Sequence, residues 1–193
     1  MATKPHSRIR LSALAVAATA IGALVSAAGA SAKTLGSLAP PGLSGCTSCD
    51  VFQGKTAVGE PKYRVPKGPT GLWKITAWSA QGGTADGIAR LRVYRPTATH
   101  GQFKLVKQGG DETVPADGHP SFPTSLNVKK GDLLGLRTES NIPAGYESGL
   151  FGDVGKVLGC GVGLDQLVGT GTSCPLVSRH FDLVNVSAEL TPR

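Results

Sequence analysis

The sequence predicts an all-β fold, an antiparallel β-sandwich or barrel, on three observations. Apolar residues recur with period two in short runs broken by turn residues, the pattern of half-buried strands. The 27 glycines and 13 prolines are spread along the whole chain, which argues against long helices. No stretch beyond residue 32 carries a helical period of useful length.

Residues 1–32 read as an export signal. Lys4, Arg8 and Arg10 make a basic start, Leu11 to Ala28 carries no charge, and Ala30-Ser31-Ala32 fits the small-x-small cleavage pattern. The mature chain is therefore expected to begin at Lys33. The uncharged stretch is long enough to span a bilayer, but it is Ala-rich and ends at a cleavage pattern, so a retained anchor is the weaker reading. No second apolar span follows, and a secreted protein with no transmembrane segment in its mature part is expected, held at the cell surface, if at all, by contacts. The Pro/Gly/Ser-rich stretch after it reads as a flexible linker over 33–45, and 46–193 as a single β-sandwich domain.

Along the domain, Gly71 to Gln81 has apolar residues on both parities, which suits a central strand or one with a bulge. Gly82-Gly83 and Asp86-Gly87 turn the chain into Ile88 to Arg95. There Ala89, Leu91 and Val93 share a core face, and Ile88, Arg90, Arg92 and Tyr94 share a face expected to look largely to solvent. Gln102 to Gln108 follows, with Phe103 and Leu105 on one face. Phe122 to Val128 and Asp132 to Thr138 read as a pair joined at Lys129-Lys130-Gly131. Gly145 to Ser173, rich in glycine, reads as long loops. The last strand is Phe181 to Leu190, with Val184, Val186, Ala188 and Leu190 on one face.

Charge excludes little. Three of the 20 Lys and Arg and none of the 13 Asp and Glu lie in 1–32, leaving a net +4 for the remainder. The basic residues are scattered, with no run longer than Lys129-Lys130. A nucleic-acid footprint would be a basic stripe with stacking aromatics, so no nucleic-acid partner is expected. Weak attraction to a polysaccharide or cell-wall polymer is compatible with the charge.

Cys46, Cys49, Cys160 and Cys174 are read as disulfide cysteines, because export places them in an oxidising compartment. Local pairs, Cys46–Cys49 and Cys160–Cys174, are favoured, with crossed pairings the alternative. A redox reading of Cys46-Thr-Ser-Cys49 lacks the helix start that lowers a thiol pKa. A zinc reading lacks a second close pair. Leu43-Ser44-Gly45-Cys46 matches a lipobox but does not directly follow the hydrophobic stretch.

Catalysis finds little support. Gly145-Tyr146-Glu147-Ser148-Gly149 has its serine misplaced for a nucleophile elbow. His100 and His119 lie in turn-like contexts, His180 precedes the last strand, and Glu60, Glu139, Glu147 and Glu189 are isolated. No catalytic residue is therefore named. Asp86, Asp111, Glu112, Asp117, Asp132 and Asp153 sit beside glycine or in turns; such loops can ligate calcium, but turn chemistry explains them as well, so no cofactor is assigned. A sugar-binding face would use Trp73, Trp78, Tyr94 or Tyr146. Trp73 and Trp78 lie on opposite parities and could share a groove only through a bulge. Arg90, Arg92 and Tyr94, expected on the outer strand face, are the candidate ligand-binding residues.

Several segments, Cys46 to Gln53, Ile75 to Ser79, Arg90 to Pro96 and Val128 to Arg137, resemble uncharacterised secreted β-sandwich proteins of actinobacteria. The last of these also resembles a segment of jelly-roll carbohydrate-binding and lectin-like modules, where it marks a turn feeding a core strand. The resemblance implies a jelly-roll-like sandwich and carries over no catalytic or ligand residue. The reading is a secreted, non-catalytic binding or structural module. A carbohydrate-binding (lectin-like) module is the alternative and a secreted hydrolase the third.

Overall fold

A computed structural model of the chain describes residues 31–40, 49–56, 61–100, 102–139, 142–146, 155–160, 173–178 and 183–193. Among them there is no helix. The strands, in chain order, are β1 (Lys33–Ser37), β2 (Asp50–Thr56), β3 (Leu72–Ser79), β4 (Gly87–Pro96), β5 (Gln102–Gln108), β6 (Glu112–Val114), β7 (Ser121–Lys129), β8 (Leu133–Glu139), β9 (Gly145–Tyr146), β10 (Gly155–Cys160), β11 (Ser173–Ser178), β12 (Leu183–Val184) and β13 (Val186–Pro192).

Two antiparallel sheets result. The smaller has the order β1-β13-β3-β7, the larger β5-β11-β10-β2-β8-β4-β6, and β9 with β12 forms a short ribbon. In the larger sheet β5 also pairs with β4, so six strands, β5-β11-β10-β2-β8-β4, close into a ring. A closed ring gives one sheet two covered faces, and each is a core.

The first core lies between the two sheets. Trp73, Ile75, Trp78, Val128, Val186, Ala188 and Leu190 of the smaller sheet meet Val51, Ala89, Leu91, Val93, Leu134 and Leu136 of the larger. The two-layer, sandwich-like packing expected from the period-two runs is present. Both tryptophans enter this core because β3 carries an extra residue against β13: Leu190 faces Ile75, whereas Glu189 faces Ala77. The bulge at Thr76 reverses the parity between them.

The second core fills the ring. Phe52, Tyr94, Leu105 and Leu133 pack together with Phe103, and the Phe52 and Tyr94 rings stack with centroids 4.5 Å apart. Gly135 makes room for that stack, since a Cβ there would lie 2.8 Å from both Phe52 Cβ and the Tyr94 ring.

Three expectations change. The linker expected over 33–45 is a strand at its start: β1 pairs with β13 from Lys33↔Leu190 to Ser37↔Val186, and Leu35 is buried. One apolar side chain in this pentamer suffices once β13 offers it an open edge, and Gly36 adopts φ +81° where a side chain would strike the Val186 carbonyl. The runs at 122–128 and 132–138 are both strands but do not pair. β7 bonds to β3 in one sheet, and β8 bonds to β2 and β4 in the other. Lys129 to Asp132 is thus an arch between layers, not a hairpin. The last run is split at Asn185, which is fully buried. Its Oδ1 accepts from Ala39 N and Gln81 N, and its Nδ2 donates to the Gln81 and Pro143 carbonyls. Within 145–173, β9 and β10 are strands; residues 147–154 and 161–172 fall outside those described, as do residues 1–30 of the segment 1–32 expected to be an export signal.

Candidate functional site

The face carrying Arg90, Arg92 and Tyr94 does not look to solvent. It is turned into the ring, where Arg92 is 1% and Tyr94 0% exposed, while Arg90 is half-buried at the rim. The strand parity is as expected; what differs is that ring closure covers the second face. The register places Asp50 opposite Arg137, and Arg137 opposite Arg90, so a charged row crosses β2, β8 and β4. Tyr94 OH donates to Asp50 Oδ1, and Arg92 donates to Gln108 Oε1 and lies 3.5 Å from Asp50 Oδ2. Burial raises the Asp50 carboxyl pKa, opposed by Arg92 and by the Tyr94 hydrogen bond. Burial also pushes the Tyr94 phenol well up and the Arg92 guanidinium down. Arg90 bonds Asp111, which lowers the Asp111 pKa and raises that of Arg90. The three predicted ligand-binding residues are therefore brought together, but each is taken up by partners within the protein: Asp111 for Arg90, Gln108 and Asp50 for Arg92, and Asp50 for Tyr94.

The other candidates separate. Trp73 is buried with Nε1 donating to the Pro66 carbonyl at 3.0 Å, and Trp78 packs on Phe122. The Tyr146 and His180 side chains lie outside those described, and His100 and His119 are exposed. Among the aspartates, Asp86 caps Ala116 N, Asp111 holds Arg90, and Asp132 holds Arg95; Asp153 lies outside the described residues. Among the described residues no three His, Cys, Asp or Glu side chains come together as a metal site. Cys49 is buried ahead of β2, and the side chains of Cys46, Cys160 and Cys174 lie outside those described.

What the structure assembles instead is a basic end. In β5, Lys107 faces Val93 whereas Leu105 faces Tyr94, so Val106 is an extra residue against β4. Lys104 faces Arg95. Since Val93 and Arg95 are two apart on β4, the bulge puts Lys104 and Lys107 on one face, where plain alternation would oppose them. That face borders the mouth between the layers. Here an open cleft of about 540 Å³ is lined by Arg95, Lys104, Lys107, Lys129 and Arg193, over Leu72 and Val128. Asp132, fully buried, accepts from Arg95 Nε at 2.7 Å and Nη2 at 2.8 Å, orienting that guanidinium.

A second open cleft of about 600 Å³ adjoins it, with Lys62, Arg64, Lys67 and Lys130 on its walls. Residues 62–65 alternate strictly. Tyr63 and Val65 are buried and Lys62 and Arg64 exposed, because the segment is stitched to β8 by Leu134 N→Tyr63 O and Val65 N→Asp132 O. No carboxylate side chain lies among the described residues lining either cleft. Four acids lie toward the other end of β4. Glu112 faces Ala89, Glu139 faces Ile88, Asp111 pairs with Arg90, and Asp86 bonds Ala116. Five to seven residues of β4, from Ile88 to Arg90 up to Arg95, separate the two groups, roughly 17–23 Å. Sequence reasoning read the cations as scattered, and only the Lys-Tyr-Arg-Val alternation at 62–65 could have signalled otherwise.

No protein-family model, no curated protein and no solved structure matches the chain.

Proposed function

We propose that the protein is an exported, non-catalytic jelly-roll module that binds an anionic polysaccharide of the extracellular or cell-wall matrix through its basic end. The observation that carries this reading is the clustering of Lys62, Arg64, Lys67, Lys104, Lys107, Lys129, Lys130 and Arg193 around two adjoining clefts with no Asp or Glu side chain among their described lining residues. Clustered like charge at a cleft raises the local concentration of counter-charged ligand. Most of these cations are lysines, compact point charges without the guanidinium's fixed fork, which suits irregularly spaced anionic groups. Nucleic acid is disfavoured because the aromatics at the clefts, Trp73 and Tyr63, are buried and offer no ring for base stacking.

The jelly-roll reading is supported by strand order. Taking β1, β2, β3, β4, β5, β7, β8 and β13 as eight consecutive strands, one layer runs 1-8-3-6 and the other 2-7-4-5, the two-Greek-key order of that architecture. β10 and β11 then fill the gap between β2 and β5. Local disulfides, Cys46–Cys49 and Cys160–Cys174, remain the expectation, with crossed pairings the alternative. Cys49 is disulfide-bonded, and Cys160 faces Leu176, two residues from Cys174 on the adjacent strand. The signal-like residues 1–32 support export.

The test is retention on immobilised polygalacturonate. The protein should bind at low ionic strength and release as added salt shortens the Debye length from about 10 Å at 0.1 M to about 3 Å at 1 M. Lys104→Glu with Lys129→Glu should abolish retention without unfolding. Elution together with the same protein on neutral dextran would sink the reading.

A further inference from the structure

We infer that the two clefts are consecutive subsites of one track around the β7–β8 arch, so that the ligand is an extended polyanionic chain engaging both at once. This rests on the polysaccharide reading above and adds what that reading leaves open: the protein selects for chain length.

The geometry is local. Lys129 lines the first cleft, and Lys130 and Gly131 line the second. Adjacent α-carbons are about 3.8 Å apart, so the linings of the two clefts are neighbours across the Lys129–Lys130 peptide. That peptide is held on both sides. Asp132 N donates to Lys129 O at 3.1 Å, and Lys129 N donates to Asp132 Oδ2 at 2.9 Å. Lys130 N donates to Gly71 O, and Gly131 N to Val65 O. Gly131 sits at φ +90°, a conformation that side chains rarely adopt. The arch is thus tied to the start of β3 on one side and to the 62–65 segment on the other, and the spacing of the subsites is built in. The same Asp132 carboxylate that closes the arch also orients Arg95 into the first cleft. Two subsites at fixed spacing make the second contact intramolecular, which multiplies affinity for a chain that spans them and does nothing for one that does not.

The experiment titrates the whole protein with size-fractionated oligogalacturonides by calorimetry at low salt. The affinity should rise at least tenfold at the length that first spans both clefts and level off beyond it. Lys104→Gln with Lys107→Gln disables the first cleft, and Lys62→Gln with Arg64→Gln the second. All four side chains are exposed, so the fold should hold. Either pair should remove the step and return long chains to the affinity of short ones. Polymer binding that grows smoothly with length, or that is indifferent to the Lys62/Arg64 pair, would overturn the track while leaving the polysaccharide reading in place. Failure to bind oligomers and polymer alike would remove both. Equal binding of single-stranded DNA of matched charge would overturn the assignment to polysaccharide.

Discussion

The two faces of β4 make opposite kinds of interior. Ala89, Leu91 and Val93 enter the core between the sheets, where packing alone stabilises them. Arg92 and Tyr94 enter the ring, where each side chain has a partner on another strand: Asp50 on β2 and Gln108 on β5. A period-two pattern reports which residues share a face. It does not report whether the polar face meets water or a closed sheet. The difference teaches that polar residues on a strand can specify how a ring closes, because their partners come from strands distant in sequence.

Breaking the polar side should have the largest effect. Arg92→Ala leaves Asp50 as a buried carboxylate deprived of its ion-pair partner and should destabilise by about 3–5 kcal/mol, read from the urea midpoint. Replacing both partners with apolar residues of similar volume should cost much less than that single change, which separates a packing role from an ion-pair role. On the apolar side, Leu91→Ala opens a cavity between the sheets and should cost about 2–5 kcal/mol, with no change in how stability varies with pH. Tyr94→Phe keeps the ring stack on Phe52 and removes only the donor to Asp50, for about 1–3 kcal/mol.

Asp50 also gives the ring a pH signature. Its carboxyl pKa is raised in the fold, so between the ordinary value of 3.8 and the raised one the native chain holds a proton that the unfolded chain has lost. Its contribution to stability is therefore greatest in acid and declines as pH rises through that window. Asp50→Asn should remove this decline from the pH series of urea midpoints. A variant that tracks the parent at every pH would contradict the buried placement. The smallest effect belongs to the rim. Arg90→Ala breaks a pair whose aspartate is half exposed, and should change stability by about 0–1 kcal/mol, less in high salt.

Much of the fold was legible in particular residues. The alternation Val184-Val186-Ala188-Leu190 correctly marked an inward face, and the mixed parity of Gly71 to Gln81 allowed a central strand or a bulge; β3 is both, and its bulge turns Trp73 and Trp78 into one core. β5 was placed over its full length, Gln102–Gln108. What escaped depended on long-range pairing. Nothing local in KTLGS signals that β13 has a free edge for it. Asn185 interrupts a valine-rich run because its side chain serves Ala39, Gln81 and Pro143 together, and no spacing along the chain announces three such partners. The basic end was hidden for the same reason: its cations come from the 62–67 segment, β4, β5, β7 and the arch, and a one-residue bulge at Val106 decides which way Lys104 and Lys107 face.

The ring interior holds the fold together and we propose that the basic end takes a ligand; the most direct measurement compares two double variants by urea unfolding. Arg92→Ala with Tyr94→Ala removes exposed-looking residues that the structure places in the ring, and Lys104→Ala with Lys107→Ala removes residues at the cleft. The first pair should lose several kcal/mol of stability, and the second should stay within about 0.5 kcal/mol of the parent. Equal midpoints for the two variants, or a larger loss from the lysine pair, would contradict the placement of both regions.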